Sequence, residues 1–368
     1  MEAEFVGSPF FVKGLSIRRS VFGSTPTQVG LTASGPRETE GHATSMNRTH
    51  AGRAALGELV ERYSMSVKAP SVKSYSLPGF NLSTGETLEV PLHQVYYGDA
   101  RTLFPPGEQR PYWNDSVGGA SHRDSRSVLE SAWFEFIERQ SLIYNWLTQS
   151  PGSAIAEEQM AMDTRMMFRR LRGYFEEIRA FDISLHPEVC VAVVMGFGET
   201  YMGIGVGAHW RTPTAVRSAL RELLAQIMGY RLGAYPENSL QRVEQTEQTS
   251  NIYVRNFYDN YSPKRLREAF RYLMGSAASP RSEPDAGGVE RNDMMSRLEE
   301  ICRSFSVEPI VVRVPACRDD STTRVIKMTS IGGYPHMRCD VLVPEEHAIS
   351  FHRGETVFPN RGLLIPFP

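Results

Sequence analysis

Two segments of the chain repeat the pattern Glu-x-x-Glu-Arg, at residues 58–62 and 135–139, and a third acidic segment follows at 217–222. Carboxylates three residues apart lie on one face of a helix, where they repel each other, and burial raises that cost. A hard cation between them would relieve both penalties. Mg²⁺ binds few protein carboxylates and completes its shell with water and phosphate oxygens. The pattern therefore predicts a metal and nucleotide site assembled from several helices.

Three predicted helices carry these carboxylates. An apolar stripe predicts a helix over 51–65, and a Thr-Pro start signal predicts another over 213–232. The helix predicted over 126–148 is apolar almost all round, which is typical of a buried helix. Glu135 and Glu138 are therefore expected inside the protein, where they need partners.

The remaining pattern predicts an α+β fold. Strands are expected within 72–97 around a turn at 83–85, and over 177–184, 190–196, 201–207, 308–314 and 324–330. Further helices are expected over 158–175 and 262–275. Since no linker divides the chain, we expect one domain over 1–368, with strands and loops over 1–45 and a mobile loop over 276–291.

The bulk composition excludes several classes of function. A formal net charge of −2 argues against a general nucleic-acid-binding protein, because phosphate contacts need a surplus of cations. No apolar run reaches the length of about 18 residues needed to cross a membrane, and the N-terminus lacks a secretory signal. The four cysteines form no Cys-x-x-Cys pair, which is typical of reduced structural thiols and predicts a cytoplasmic protein. A catalytic cysteine stays open.

Taken in order along the chain, the motifs resemble the YcaO superfamily of ATP-using enzymes. After the two acidic helices comes a Gly-Val-Gly-Ala-His strand end at 205–209, and then a helix carrying Glu222 and Gln226. The segment 182–184, Asp-Ile-Ser, is similar to the family's Asp-hydrophobe-Thr strand. The closing segment 364–368, Leu-Ile-Pro-Phe-Pro, resembles the proline-rich terminus of the azoline-forming branch.

Within the superfamily the chain is most similar to the ATP-using cyclodehydratase subunit of microcin-type thiazole/oxazole peptide synthetases. The resemblance implies a single YcaO-type domain with mixed or antiparallel sheets and an interior ATP site lined by helices. It implies an enzyme of antibiotic biosynthesis that cyclises Cys, Ser or Thr residues of a ribosomally made precursor peptide to thiazolines or oxazolines. ATP and Mg²⁺ would serve to phosphorylate the backbone amide oxygen, which converts a poor leaving group into a good one.

The resemblance also implies roles for particular residues. A Mg²⁺ shell, direct or through water, is expected from Glu58, Glu61, Glu135, Glu138 and Glu222. Nucleotide contacts are expected from Glu58, Glu61, Arg62, Arg139, Glu222, Gln226 and Ser45. Catalytic roles are expected for Glu135, Glu138 and Pro368, whose terminal carboxylate would lie near the catalytic centre. The two arginines could instead be structural ion partners of the glutamates.

Several positions depart from the family pattern. Ser127 stands where an acidic residue is common, and Ser218 stands where the family has arginine, with Arg217 next to it. Gln226 lies one residue further from Glu222 than the usual spacing, and the lysine common before the first acidic helix is missing. Two alternatives therefore stay open: another backbone chemistry of this fold, forming a thioamide or an amidine, or a nucleotide-binding scaffold without peptide chemistry.

The implied partners follow from the predicted reaction. A precursor peptide is the substrate. Because the chain has no room for a fused recognition domain, we expect a separate leader-binding protein that resembles ubiquitin-activating enzymes. A flavin-dependent dehydrogenase that oxidises azolines to azoles could join the complex.

Overall fold

The computed structural model describes residues 3–4, 11–19, 27–34, 39–69, 71–97, 100–108, 113–199, 201–231, 252–277, 294–315 and 323–368. Their strands, numbered β1 to β13 in chain order, are Ala3–Glu4, Phe11–Arg19, Thr27–Ser34, Thr39–Ser45, Ser76–Asn81, Thr87–Pro91, Gly119–His122, Ser153–Ala154, Glu177–Asp182, Cys190–Phe197, Met202–His209, Glu308–Val314 and Arg324–Ile331.

The helices of the same residues are numbered α1 to α10. They are Arg48–Ser66, Leu92–Val95, Ala100–Leu103, Ser125–Thr148, Met162–Leu171, Thr212–Arg231, Ile252–Asn260, Pro263–Ala269, Arg271–Met274 and Met294–Ser304. Short 3-10 turns lie at Glu157–Gln159, Pro344–Glu346 and Ala348–Phe351.

The chain forms two compact units. The first comprises Met1–Phe136 and Asn292–His336, and the second comprises Ile137–Arg291 and Met337–Pro368. The boundary falls inside the long helix α4, so this helix contributes Glu135 to the first unit and Glu138 to the second.

The first unit contains two antiparallel sheets. One has the order β1-β2-β3-β4, and the other has the order β6-β5-β12-β13-β7. Helix α1 covers the first of these sheets. Its buried face contributes Ala51, Ala55, Leu59 and Tyr63 to one cluster with Val12, Val29, Leu31 and Ala33 of the strands. This alternation of strand residues against a helical stripe is what buries the apolar faces of both elements.

The second unit is built on one antiparallel sheet with the order β11-β10-β9-β8. All eight residues of β10 are buried, as are seven of the eight in β11. Helix α6 follows β11 along the chain. These sheets and helices confirm the predicted α+β class with antiparallel sheets.

Some sequence predictions fall outside the described residues. The predicted loop over 276–291 lies outside them except for its first two positions. Cys317 also lies outside them. The three described cysteines, Cys190, Cys302 and Cys339, are buried and free of disulfide bonds. Among the described helices, none is both long and apolar enough to cross a lipid bilayer.

Candidate functional site

Helix α1 lies directly against strand β4 in the first unit, and this contact positions Glu58. A Cβ added to Gly41 would lie 2.5 Å from the Leu59 nitrogen, so only glycine allows the helix to approach this closely. As a result, the Glu58 carboxylate accepts a hydrogen bond from the His42 backbone nitrogen at 3.0 Å. Its other oxygen forms an ion pair with Arg62 at 2.6 Å. Glu58 is therefore held by both the strand and its own helix.

Glu61, on the same helix, is a buried carboxyl beside other charged groups. Burial, and after it the neighbouring Glu58 carboxylate, raise the pKa of the Glu61 carboxyl, which lies at about 8. The positive charges of Arg62 and Lys327 act in the opposite direction. A carboxyl in this environment holds a proton near neutral pH unless a cation takes the place of that proton.

Lys327, in the middle of strand β13, brings a buried ammonium into this cluster. Only 2% of its surface is exposed. Its Nζ donates hydrogen bonds to the backbone oxygen of Asp115 at 2.7 Å and to Asn114 Oδ1 at 3.4 Å. Burial lowers the pKa of Lys327, while the carboxylates of Asp115, Glu135 and Glu61 act against that shift. The structure thus brings Glu58, Glu61, Arg62, Glu135 and Lys327 into one charged cluster within the first unit.

In the second unit, a close contact between a helix and a strand at a glycine likewise positions Glu222. A Cβ on Gly205 would lie 2.6 Å from the Leu223 nitrogen, which lets helix α6 pack directly against strand β11. Glu222 Oε2 then accepts a hydrogen bond from the Val206 backbone nitrogen at 2.7 Å. The Gly-x-Gly pattern of the strand end is therefore a packing requirement that brings a helix glutamate onto the strand backbone.

Arg139 connects the glutamates of the second unit. Its Nη2 lies 3.3 Å from Glu138 Oε1 and 3.5 Å from Glu222 Oε1. The side chains of Arg139 and Glu138 are only 14% and 13% exposed. Arg139 therefore serves as an ion partner that holds two helices' carboxylates together, which was one of the two roles predicted for it.

The closing segment of the chain packs onto this arginine. Ile365, Pro366 and Phe367 are buried. The guanidinium carbon of Arg139 lies 4.7 Å from the centre of the Phe367 ring, within cation–π distance. Asn256 Nδ2 on helix α7 donates to the Ile365 oxygen at 3.3 Å. The segment is thus fixed by apolar, cation–π and hydrogen-bond contacts.

Three other predicted residues have contacts within the protein. Ser45 Oγ accepts from the Asn47 nitrogen at 3.2 Å, directly before helix α1. Gln226 Oε1 accepts from the Ile204 nitrogen at 3.0 Å and so ties α6 to β11. Pro368 is partly exposed beside the buried Phe367. Arg217, adjacent to the departing position Ser218, forms an ion pair with Asp163 of α5 at 2.9 Å.

The carboxylates of these clusters can be compared with the ligands that Mg²⁺ requires. Within the described ranges, no group of three or more His, Cys, Asp or Glu side chains is arranged to hold a metal ion by itself. Mg²⁺ needs only one or two carboxylates when water and phosphate oxygens complete its shell. A carboxyl such as Glu61, whose pKa is raised by burial and a like charge, is one that a cation would stabilise in its ionised form. The residues therefore fit Mg²⁺ bound together with a nucleotide.

Sequence reasoning missed one residue of these clusters, Lys327. Lys327 is one of only five lysines and interrupts an apolar strand, which was the available signal. The closing segment was expected near the catalytic centre, but its partner was not. The contact of Phe367 with Arg139 joins residues more than two hundred positions apart, and no local pattern indicates it.

Comparisons with known proteins give the family and the fold of the chain. A family model described as YcaO cyclodehydratase, ATP- and Mg²⁺-binding, matches residues 69–316, which is more than half of the chain. Helix α1 and the closing segment lie outside that match. No curated protein matches the chain in sequence.

Solved structures share the fold at low sequence identity. YcaO from Methanopyrus kandleri, bound with AMPPCP and Mg²⁺, is 16% identical with a TM-score of 0.65, over 86% of this chain and 84% of that chain. A chain of the Escherichia coli microcin synthetase McbBCD complex with pro-MccB17 bound is 15% identical with a TM-score of 0.69, over 96% of both chains. A heterocyclase in complex with substrate and cofactor is 14% identical with a TM-score of 0.69, over 89% of this chain but 50% of that chain.

Proposed function

Because the chain belongs to the YcaO family of ATP- and Mg²⁺-binding cyclodehydratases, we propose that it forms thiazolines or oxazolines in a ribosomally made precursor peptide. The side chain of a Cys, Ser or Thr residue loses its S–H or O–H proton and attacks the preceding carbonyl carbon. A C–S or C–O bond forms, the carbonyl π bond opens, and the carbon becomes tetrahedral with its oxygen singly bonded. Phosphorylation of that oxygen by ATP makes it leave as phosphate. Loss of the amide proton then closes the C=N bond, so each ring removes one water from the peptide while ATP becomes ADP.

The observation that carries this proposal is the packing of the closing segment against Arg139. The resemblance to the azoline-forming branch implies a proline-rich terminus near the active site. Here Phe367 covers the arginine that pairs with Glu138 and Glu222. The proposal assigns this segment to the ordering of the reaction centre, with the Pro368 carboxylate close to the reacting oxygen.

In the proposal, the glutamates bind the metal and the arginines contact the nucleotide. Glu58, Glu61 and Glu135 of the first unit, and Glu138 and Glu222 of the second, bind Mg²⁺ directly or through water. Arg62 and Arg139 balance these carboxylates and offer planar donors to phosphate oxygens. Ser45 and Gln226 belong to the nucleotide contacts of the proposal, although both side chains also have hydrogen bonds within the protein. When bound, Mg-ATP supplies the phosphoryl group and neutralises charge that develops on its transfer.

The proposed reaction needs partners. The substrate is a precursor peptide, and a leader-binding protein similar to ubiquitin-activating enzymes would deliver it. A flavin-dependent dehydrogenase would convert azolines to azoles. We place the reaction in the cytoplasm, where ATP and newly made peptides are found and where buried thiols such as Cys190 and Cys302 stay reduced.

Intact mass of the peptide tests the proposal. A precursor peptide encoded near this protein is incubated with the protein, Mg-ATP and the products of the neighbouring genes. Losses of one water per ring, dependent on ATP, are expected. Exchange of oxygen for sulfur would instead establish thioamide formation by the same fold. Nucleotide binding without any mass change in the complete mixture would favour the scaffold, which the engagement of Arg217 by Asp163 already makes a specific alternative.

A further inference from the structure

Lys327 occupies a place in the fold that the proposed function does not yet explain. A lysine almost fully buried in the middle of a sheet is costly, because removing an ammonium from water is penalised unless opposite charges and acceptors compensate. Two of its three N–H donors are satisfied by Asp115 O and Asn114 Oδ1. These are neutral acceptors, so the compensating negative charge comes from carboxylates, namely those of Asp115, Glu135 and Glu61.

The sheet register shows where the Glu61 carboxylate lies relative to Lys327. Lys327 on β13 pairs directly with Gly119 on β7, and directly paired residues point to the same face of a sheet. The position that a Cβ of Gly119 would occupy is 2.5 Å from Met65 Cε, 2.8 Å from the Ser116 oxygen and 3.0 Å from Glu61 Oε1. Because Gly119 has no side chain, the Met65 methyl group and the Glu61 carboxylate can approach the strand here, on the same face as Lys327.

A carboxylate of the other acidic helix acts on the same ammonium, in addition to that of Asp115. Glu135, on helix α4, interacts electrostatically with Lys327 and also with Arg62. Glu61 and Glu135 come from the two Glu-x-x-Glu-Arg helices. Lys327 thus acts on one carboxylate from each helix, although it belongs to neither of them and is far from both along the chain.

We propose that Lys327 is a positioning residue whose fixed charge holds Glu61 and Glu135 in place and sets the strength of Mg²⁺ binding in the first unit. The inference deepens the proposed function and rests on it. A cation beside two metal ligands weakens the attraction of the site for Mg²⁺ and strengthens its attraction for the anionic nucleotide. Removing that charge should therefore shift the two affinities in opposite directions, whereas a loss of packing would weaken both.

The test compares Lys327→Met and Lys327→Gln with the wild-type chain in two separate binding measurements. The melting temperature is measured as a function of the concentration of Mg²⁺ alone. The binding of metal-free ATP in EDTA is measured by equilibrium dialysis. Both variants are expected to reach half-saturation at a Mg²⁺ concentration lower by on the order of tenfold, and to bind metal-free ATP more weakly by a similar factor. Lys327→Arg, which keeps the charge, should shift both affinities less than the neutral variants do.

Lys68 provides a matched control within the same unit. Its Nζ also donates to two oxygens, those of Ser74 and Thr102 at 3.4 Å each. Lys68→Met should leave both affinities within about twofold of the wild type, because Glu61 and Glu135 do not depend on it for countercharge.

The outcomes separate the inference from the proposed function. Wild-type protein that binds neither Mg²⁺ nor ATP would contradict the proposed function itself. Wild-type binding combined with unchanged affinities in Lys327→Met, or with an equal loss of both affinities, would overturn the inference alone. Failure of both neutral variants to melt cooperatively would also overturn it, since the charge would then serve the fold and not the metal.

Discussion

Arg139 and Phe367 are joined by a cation–π contact of 4.7 Å between the guanidinium carbon and the ring centre. The arginine is mostly buried and pairs with Glu138 and Glu222, so the aromatic ring covers the ion pairs that hold helices α4 and α6 together. A desolvated cation–π contact is worth about 2 kcal/mol. The closing segment is thus energetically coupled to the carboxylates of the second unit.

Deleting residues 366–368 should abolish ring formation while nucleotide binding stays within about threefold of wild type, since a contact of about 2 kcal/mol supports geometry more than affinity. Phe367→Leu, which keeps the apolar bulk but removes the π system, should lower the rate of ring formation by about tenfold. Peptide mass gives ring formation, and fluorescence of a labelled ATP analogue gives binding. Unchanged ring formation in the deletion variant would refute the proposed role of this segment.

Glu135→Gln and Glu138→Gln should each reduce ATP-dependent ring formation by at least about a hundredfold. Loss of a metal ligand lowers activity more than loss of a residue that only hydrogen-bonds to the ligand. The amide keeps the shape of the side chain, so the far-ultraviolet circular dichroism and the cooperative melt should be preserved. Glu130→Gln, on another face of the same helix, is the matched control and should retain activity. Near-wild-type turnover in both test variants would show that these carboxylates do not serve the metal.

The helices that carry the glutamates were predictable because each is long and strongly periodic. Predicted bounds of 126–148 and 213–232 compare with Ser125–Thr148 and Thr212–Arg231 in the structure. The turn at 83–85 was also predictable, and Gly85 has a positive φ of 74°. Local sequence decides such elements, because capping and periodicity act over a few residues.

Elements that depend on distant contacts were wrong or missed. The predicted helix over 158–175 is shorter, at Met162–Leu171, because its first residues form a 3-10 turn before an extended Ala161. The helix predicted over 262–275 is interrupted at Phe270. Strand β7 is absent from the predicted strands, since it exists only through its pairing with β13. That the whole chain forms one domain stays a prediction.

In the site, too, some features follow from local sequence and others depend on distant contacts. The carboxylates could be named from the sequence, because their spacing on apolar helices is unusual. Their partners could not, because Glu58 and Glu222 accept hydrogen bonds from strand backbones that pack against them only in the folded protein. The role of Gly41 and Gly205 is likewise visible only once the helix is in place.

Gly205→Ala should destabilise the protein by about 1–3 kcal/mol or more, because the added Cβ would meet the backbone of helix α6 and that backbone cannot move like a flexible side chain. Denaturant melts measure the loss. Gly52→Ala is the matched control, since a Cβ there meets nothing within 4 Å and the residue lies inside helix α1. It should stabilise the protein by about 0.5–1 kcal/mol. Equal effects of the two substitutions would contradict the close approach of α6 to β11.

The pH dependence of stability should report the environment of Glu61 in the metal-free protein. Its folded pKa is about 8, against an ordinary value of 4.5. Between these values the folded state binds a proton that the unfolded state has lost, so the free energy of unfolding falls as pH rises from about 4.5 to about 8. Glu61→Gln removes this contribution and should melt at an increasingly higher temperature than wild type across that interval. Melting curves at pH 5, 6, 7 and 8 in EDTA measure the difference, with Glu86→Gln, at an exposed position, as the control. If the melting temperatures of Glu61→Gln and wild type differed by a constant amount from pH 5 to pH 8, Glu61 would have an ordinary pKa, and its carboxyl would not be a group that needs a cation.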